Sequence, residues 1–173
     1  MEHPTTIGDY KLLETIGRGA FSTVYRAKHR NSSREVAIKI IQKDSISRDL
    51  VEREVLILKS LDHPFAVAFY EFFENENYYY FVMEHVQGES IHEHLKKYGH
   101  FPEWLCKHYF CQLISVLDYL HNELRIAHRD LKLDNIMVDR HGNIRLVDFG
   151  LGNAYKGSSA VLQTACGSPR MFI

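Results

Sequence analysis

Polar and apolar positions alternate through the first half of the chain and then shift to a three- and four-residue spacing. Lys11–Ile16 and Thr23–His29 read as strands flanking Gly17-Arg18-Gly19, a hairpin with glycine in its turn. A polar turn at Arg30–Arg34 leads into a Val- and Ile-rich strand, Glu35–Gln42. Ser47–Leu61 has helical period, with Ser47 as N-cap and Asp49 in the first turn, until His63-Pro64 ends it. Within it Leu50, Glu54, Leu58 and Leu61 fall on one stripe. Val67–Glu74 and Tyr78–His85 are aromatic-rich strands around Asn75-Glu76-Asn77.

The second half turns helical. Ile91–Tyr98 is a short helix closed by Gly99, and Pro102 suits the first position of the next one. Phe110, Leu113, Leu117 and Leu120 give that helix an inward face. Charge-dense residues 126–135 follow, then two short strands around His141-Gly142-Asn143, then a tail rich in Gly and Ser. Strands first and helices later predict an α+β chain of two segregated lobes joined near His85–Ser90.

Composition changes this picture little. The 173 residues carry a net charge of -1, which suggests neither nucleic-acid nor anionic-membrane attraction. No apolar run approaches the ~20 residues of a membrane helix, and Met1–Lys11 lacks the pattern of a secretory signal. Three cysteines without CxxC spacing argue against a disulfide framework and a zinc site, which fits a reducing, intracellular setting. Asn31-Ser32-Ser33 matches a glycosylation sequon but reads as a polar turn. His85, His92, His94 and His100 read as surface or loop residues.

Candidate chemistry begins at the glycine hairpin. Glycines at 17 and 19 let backbone N–H groups approach phosphates, although a plain hairpin would look the same. Lys39 sits in the apolar run Val36-Ala37-Ile38-Lys39-Ile40-Ile41 and shares a strand face with Ala37. A small residue beside a cation suits a flat base next to a phosphate, while a snorkelling edge lysine is the bland alternative. Glu54, a carboxylate on an apolar stripe, needs a partner, and Lys39 is the natural one. Glu52 lies off the stripe. The densest cluster is His128-Arg129-Asp130-Leu131-Lys132-Leu133-Asp134-Asn135, followed by Asp148-Phe149-Gly150. Asp130 can orient or accept the proton of an attacking hydroxyl, and Lys132 can offset charge on a moving phosphate. Asn135 and Asp148 are hard oxygen ligands suited to magnesium.

In this order the motifs resemble the protein kinase family, from about Asp9 to about Pro169. The resemblance implies a β-rich N-lobe over 10–85 after an extension at 1–9, and a partial helical C-lobe over 86–173. Gly17-Arg18-Gly19-Ala20-Phe21-Ser22-Thr23-Val24 is similar to the glycine-rich loop, and Val36-Ala37-Ile38-Lys39 to the lysine strand. Met83-Glu84-His85-Val86 resembles the gatekeeper and hinge. The implied ligand is Mg-ATP, bound by Ile16 through Val24, Ala37, Lys39, Met83, Glu84, Val86 and Met137. Val24, Ala37 and Met137 would sandwich the adenine. Asp130-Leu131-Lys132 is similar to serine/threonine rather than tyrosine kinases. Asp148–Asn153 and Thr164–Pro169 resemble the AMP-activated/SNF-like branch of the calcium/calmodulin-dependent group, without a calmodulin-binding tail.

The implied partners are protein substrates and an upstream kinase acting on Thr164, whose phosphate Arg129 would receive. The setting is intracellular, cytoplasmic with the nucleus left open. Ser22 replaces the third loop glycine, Ser90 stands at a position often acidic in the family, and Leu133 replaces a frequent proline. After Ser168-Pro169 the chain reads Arg170-Met171-Phe172-Ile173, without the family's Ala-Pro-Glu motif. A C-terminally truncated domain is therefore expected, with part of the Phe110 helix face uncovered. The alternative to a kinase is a nucleotide-binding or interaction module that does not complete transfer.

Overall fold

The computed structural model describes residues 5–32, 34–150 and 152–154. Thr164 lies outside them. The chain divides into two compact units, one of Met1–Val55 and Ala68–His85, the other of Leu56–Val67 and Val86–Ile173.

The first unit is an antiparallel six-stranded sheet. Its strands are β1 (Thr6–Ile7), β2 (Tyr10–Arg18), β3 (Ser22–His29), β4 (Glu35–Gln42), β5 (Phe69–Glu74) and β6 (Tyr78–Glu84), in the order β1-β2-β3-β4-β6-β5. Alternation sorts β4 into two faces. Val36, Ile38 and Ile40 join Ile7, Leu12, Ala27, Tyr80 and Val82 in one buried cluster. Ala37 and Lys39 occupy the opposite face, across from Met83 and Phe81.

Helix α1 (Arg48–Ser60) begins in this unit, and the Ser47 carbonyl accepts from the Leu50 and Val51 amides as its first turn forms. Its inward stripe is Val51, Glu54, Val55 and Leu58. Leu50, expected on that stripe, is 43% exposed. One residue is ~100° of helix, so centring the apolar face on Val51 carries Leu50 outward. Glu52 is exposed as expected and pairs with Arg48 at 2.7 Å.

The second unit holds α2 (Ile91–Tyr98), α3 (Glu103–Asp118) and two small sheets. β7 (Gly88–Ser90), β9 (Ile136–Asp139) and β10 (Ile144–Leu146) pair in the order β10-β9-β7. β8 (Ile126–Ala127) pairs with β11 (Asn153–Ala154). Gly88 is fixed by close approach: a Cβ there would lie 1.7 Å from the Val138 carbonyl oxygen. Gly99 closes α2 at φ 85°, a conformation glycine enters without steric cost. Pro102 is the N-cap of α3 rather than its first helical residue.

The inward residues of α3 and its continuation are Tyr109, Gln112, Val116 and Leu120. Phe110, expected among them, is 61% exposed. It follows Tyr109 by one residue, hence by ~100° of arc. Leu113 and Leu117 are half-buried at the margin of the inward stripe. The helix ends in a π-type turn, Tyr119–Glu123. There the Tyr119 hydroxyl accepts from the Asp62 amide at 3.0 Å and donates to the Ser60 carbonyl at 3.1 Å.

Candidate active site

The residues of interest fall in both units. In the first, β2 and β3 form a hairpin in which Gly17 faces Val24 and Arg18 faces Thr23. The Gly19 amide donates to the Ser22 carbonyl at 2.8 Å and closes the turn. A Cβ on Gly19 would meet Ser22 Oγ at 2.8 Å, a contact that rotation of the serine side chain relieves. Ile16 and Phe21 are exposed, as are Arg18 and Ala20, while Val24 is half-buried and registers across from Lys39.

Lys39 Nζ donates to Glu54 Oε1 at 2.7 Å. The two side chains are 12% and 4% exposed, so water screens the pair poorly. Removing one partner of such a buried pair costs about 3–5 kcal/mol, because a desolvated charge loses its close counter-ion. Lys39 is thereby held on the face that carries buried Ala37 and half-buried Met83.

In the second unit, residues 128–135 and 146–150 form one connected polar group. His128 is nearly fully buried. Its Nε2 donates to the Val147 carbonyl at 3.2 Å, and its Nδ1 accepts from the Asp130 amide at 3.3 Å. That pattern is a neutral imidazole, and burial holds its pKa below the usual histidine value. The ring meets buried Phe149 edge-on, with centroids 4.8 Å apart.

Asp130 is gripped from two sides. Lys132 Nζ donates to its Oδ2 at 2.8 Å, and Asn135 Nδ2 donates to the same oxygen at 3.1 Å and to the Asp130 carbonyl at 2.9 Å. The bond to Asp130 raises the Lys132 pKa, so the ammonium stays charged. Val147 N donates to the Asn135 carbonyl at 2.9 Å and links this loop to the residue before Asp148. Arg129 and Asp148 adopt φ of 67° and 60°, left-handed conformations rare outside glycine. Non-glycine residues held there concentrate at functional sites.

Among the described residues no group of three His, Cys, Asp or Glu side chains could cage a metal. An amide oxygen on Asn135 and a carboxylate on Asp148 suit magnesium instead, which commonly takes one or two protein oxygens and completes its shell with water and phosphate.

Ser90 takes a structural role, and two histidines depart from their sequence reading. Ser90 is buried and caps α2: its Oγ accepts from Glu93 N at 3.1 Å, and Glu93 Oε2 accepts from Ser90 N at 3.2 Å. His94 is half-buried, stacked on Phe101 and 3.0 Å from Glu89 Oε1. His85 is largely buried rather than a surface residue. The sequence reasoning also missed His128 and Phe149 as packing partners. Their ring contact joins residues 21 positions apart, and no local pattern carries it. Val86 is buried and Met137, in β9, is half-buried.

The first unit's antiparallel sheet with its buried lysine–glutamate pair, and the second unit's aspartate-centred loop, are each features expected of a protein kinase domain. The family profile for the protein kinase domain matches residues 10–172, and the chain belongs to that family. It is 40% identical over 164 residues to mouse NUAK family SNF1-like kinase 1, covering 92% of this chain and 25% of that relative. It is 42% identical over 164 residues to human NUAK family SNF1-like kinase 2, covering 92% and 26%. The chain thus spans about a quarter of the length of these curated relatives.

Proposed function

We propose that this chain carries the catalytic residues of a serine/threonine protein kinase that binds Mg-ATP and transfers its γ-phosphoryl group to protein hydroxyls. The observation that carries this reading is the convergence of Lys132 Nζ and Asn135 Nδ2 on one oxygen of Asp130, at 2.8 and 3.1 Å. Two donors on Oδ2 fix the carboxylate, which would then orient a substrate hydroxyl and take its proton. Lys132, kept protonated by Asp130, supplies positive charge as the phosphoryl group moves.

Asn135 and Asp148 would hold the magnesium, which supplies charge neutralisation of the phosphates. Glu54 steadies Lys39, whose ammonium would hold ATP phosphate oxygens, and the Gly17–Gly19 turn offers backbone N–H donors to others. By the family resemblance, Val24, Ala37, Met83, Glu84, Val86 and Met137 are the candidate adenine contacts. Ser90 does not add a ribose ligand, because its hydroxyl is committed to the α2 cap. Thr164 would take an activating phosphate from an upstream kinase, with the Arg129 guanidinium as a bidentate receiver. The proposed setting is intracellular.

The test is transfer to a generic basic peptide, with Asp130→Asn as control. Wild type should exceed the control by at least ~100-fold, the scale of a general base. Nucleotide-dependent thermal stabilisation with no transfer above the control would favour a binding module instead.

A further inference from the structure

In the three-stranded sheet of the second unit, β10 is an outer strand with β9 on one side. The amides along β10, and that of Val147 just after it, alternate in direction. Val147 N turns toward β9 and donates to the Asn135 carbonyl at 2.9 Å. Leu146 N and Ile144 N turn the other way. Leu146 N donates to the Phe65 carbonyl at 2.8 Å, and the buried Ile144 N donates to Gln112 Oε1, also at 2.8 Å. The Gln112 side chain of α3 thus serves Ile144 as a strand carbonyl would.

Gln112 is buried and uses both ends of its carboxamide. A backbone N–H can only donate, so the atom facing Ile144 is the oxygen. The nitrogen then donates to Asn143 Oδ1 at 2.8 Å and lies 3.0 Å from His108 Nε2, one turn back along α3. Asn143 closes the β9–β10 hairpin on Asp139: its N–H donates to Oδ1 at 2.9 Å, and its carbonyl accepts from the Asp139 amide at 2.8 Å. One side chain therefore grips both the hairpin turn and the first amide of β10. β9 begins one residue after Asn135, and β10 ends two residues before Asp148. The register of Ile144 on Val138 and Leu146 on Ile136 sets how those two residues stand to each other.

We propose that Gln112 is a positioning residue for Asn135 and Asp148. It holds β10 in register on β9 and so fixes the relative placement of the two residues read above as magnesium ligands, a role that rests on that reading. Without the carboxamide, β10 keeps its outward bond to Phe65 but loses the one at Ile144. A buried amide stripped of its acceptor is unfavourable enough to draw the strand end toward water. The slack passes along β10 to Asp148, while Asn135 stays with β9.

Gln112→Met in the full chain tests this, because it keeps the length and apolar packing of the side chain but not the carboxamide. Exchange of the Val147 amide, measured without nucleotide or metal and divided by that of the Val116 amide in α3, should speed up about tenfold. The magnesium half-saturation of transfer, at saturating ATP, should rise about tenfold as well. Mere destabilisation would lower kcat with the folded fraction, speed both amides alike and leave the magnesium half-saturation where it was. Equal acceleration of the two amides, or an unmoved half-saturation, would overturn the role. Should Gln112→Met fail to fold, Asn143→Ala removes just the acceptor of Gln112 Nε2. Shifts of about threefold in both readouts are then expected, and no shift would overturn the role. A wild type that transfers no more than Asp130→Asn would instead end the kinase reading, and the amide ratio would still decide whether Gln112 holds β10.

Discussion

Replacing Gly88 with alanine should damage the second unit far more than a methyl group suggests. The new Cβ would stand 1.7 Å from the Val138 carbonyl oxygen, 2.8 Å from its carbon and 3.2 Å from Asp139 Cα. Comfortable carbon contacts begin at about 3.5 Å, so the strands must separate locally by roughly 2 Å. Every atom in the clash is backbone, so no side-chain rotation relieves it. Overpacking of this kind costs about 1–3 kcal/mol. The separation also threatens the pairs Gly88–Asp139, Glu89–Val138 and Ser90–Met137, whose bonds contribute about 1 kcal/mol each. Allowing for partial relaxation, the loss is about 2–5 kcal/mol. At ~2–4 °C per kcal/mol for a chain of this size, the Tm should fall by roughly 4–20 °C. Gly142→Ala is the control. Gly142 has φ 76° with nothing within 4 Å of a built Cβ, so only the backbone penalty of about 1–2 kcal/mol applies. Thermal denaturation followed by circular dichroism decides the matter. A Gly88→Ala melt within 2–3 °C of wild type, or above that of Gly142→Ala, would refute the close-approach argument.

Three further outcomes are expected. Glu54→Ala should destabilise by about 3–5 kcal/mol, whereas Lys39→Met with Glu54→Leu should unfold within about 1–2 kcal/mol of wild type, read by urea midpoint; transfer should vanish in both. Burial keeps His128 neutral in the folded chain, so the unfolded chain binds more protons below about pH 6.5. Stability should therefore drop as pH falls from 6.5 to 5.5, with a shallower slope in His128→Asn; equal slopes would contradict the burial. Thr164→Ala should lower transfer at least ~10-fold in the presence of an upstream kinase, and parity with wild type would remove Thr164 from the regulatory reading.

The chemistry of this chain is more legible in sequence than its packing. Lys39 and Glu54 could be matched because each is a charge in an apolar context, and a charge so placed demands an opposite one. Asp130, Lys132 and Asn135 lie within six residues, so one loop brings them together. Leu50 and Phe110 were misplaced for a different reason. Helical spacing fixes which residues share a stripe, but when apolar residues surround much of the helix it does not fix which stripe faces inward. β7 is three residues long and exists only because Gly88 admits β9, a contact 50 positions away in sequence. Ser90 caps α2 through a reciprocal pair of bonds with Glu93, a role the sequence reading did not give it.

Arg129 and Asp148 hold backbone angles that glycine would adopt without strain. Substituting glycine at either site would relieve about 1–2 kcal/mol of left-handed strain, offset in part by the ~0.5–1 kcal/mol entropic cost of glycine. The backbone part of the change would thus be slight, set against the loss of the interactions that each side chain makes. It would come with the loss of the carboxylate that should bind metal, or of the guanidinium that should receive a phosphate. A library of variants sorted by heat resistance alone would therefore be blind to the loss of either group whenever the relieved strain offsets the lost contacts. Any selection for sturdier versions of this protein has to score turnover in the same round as survival.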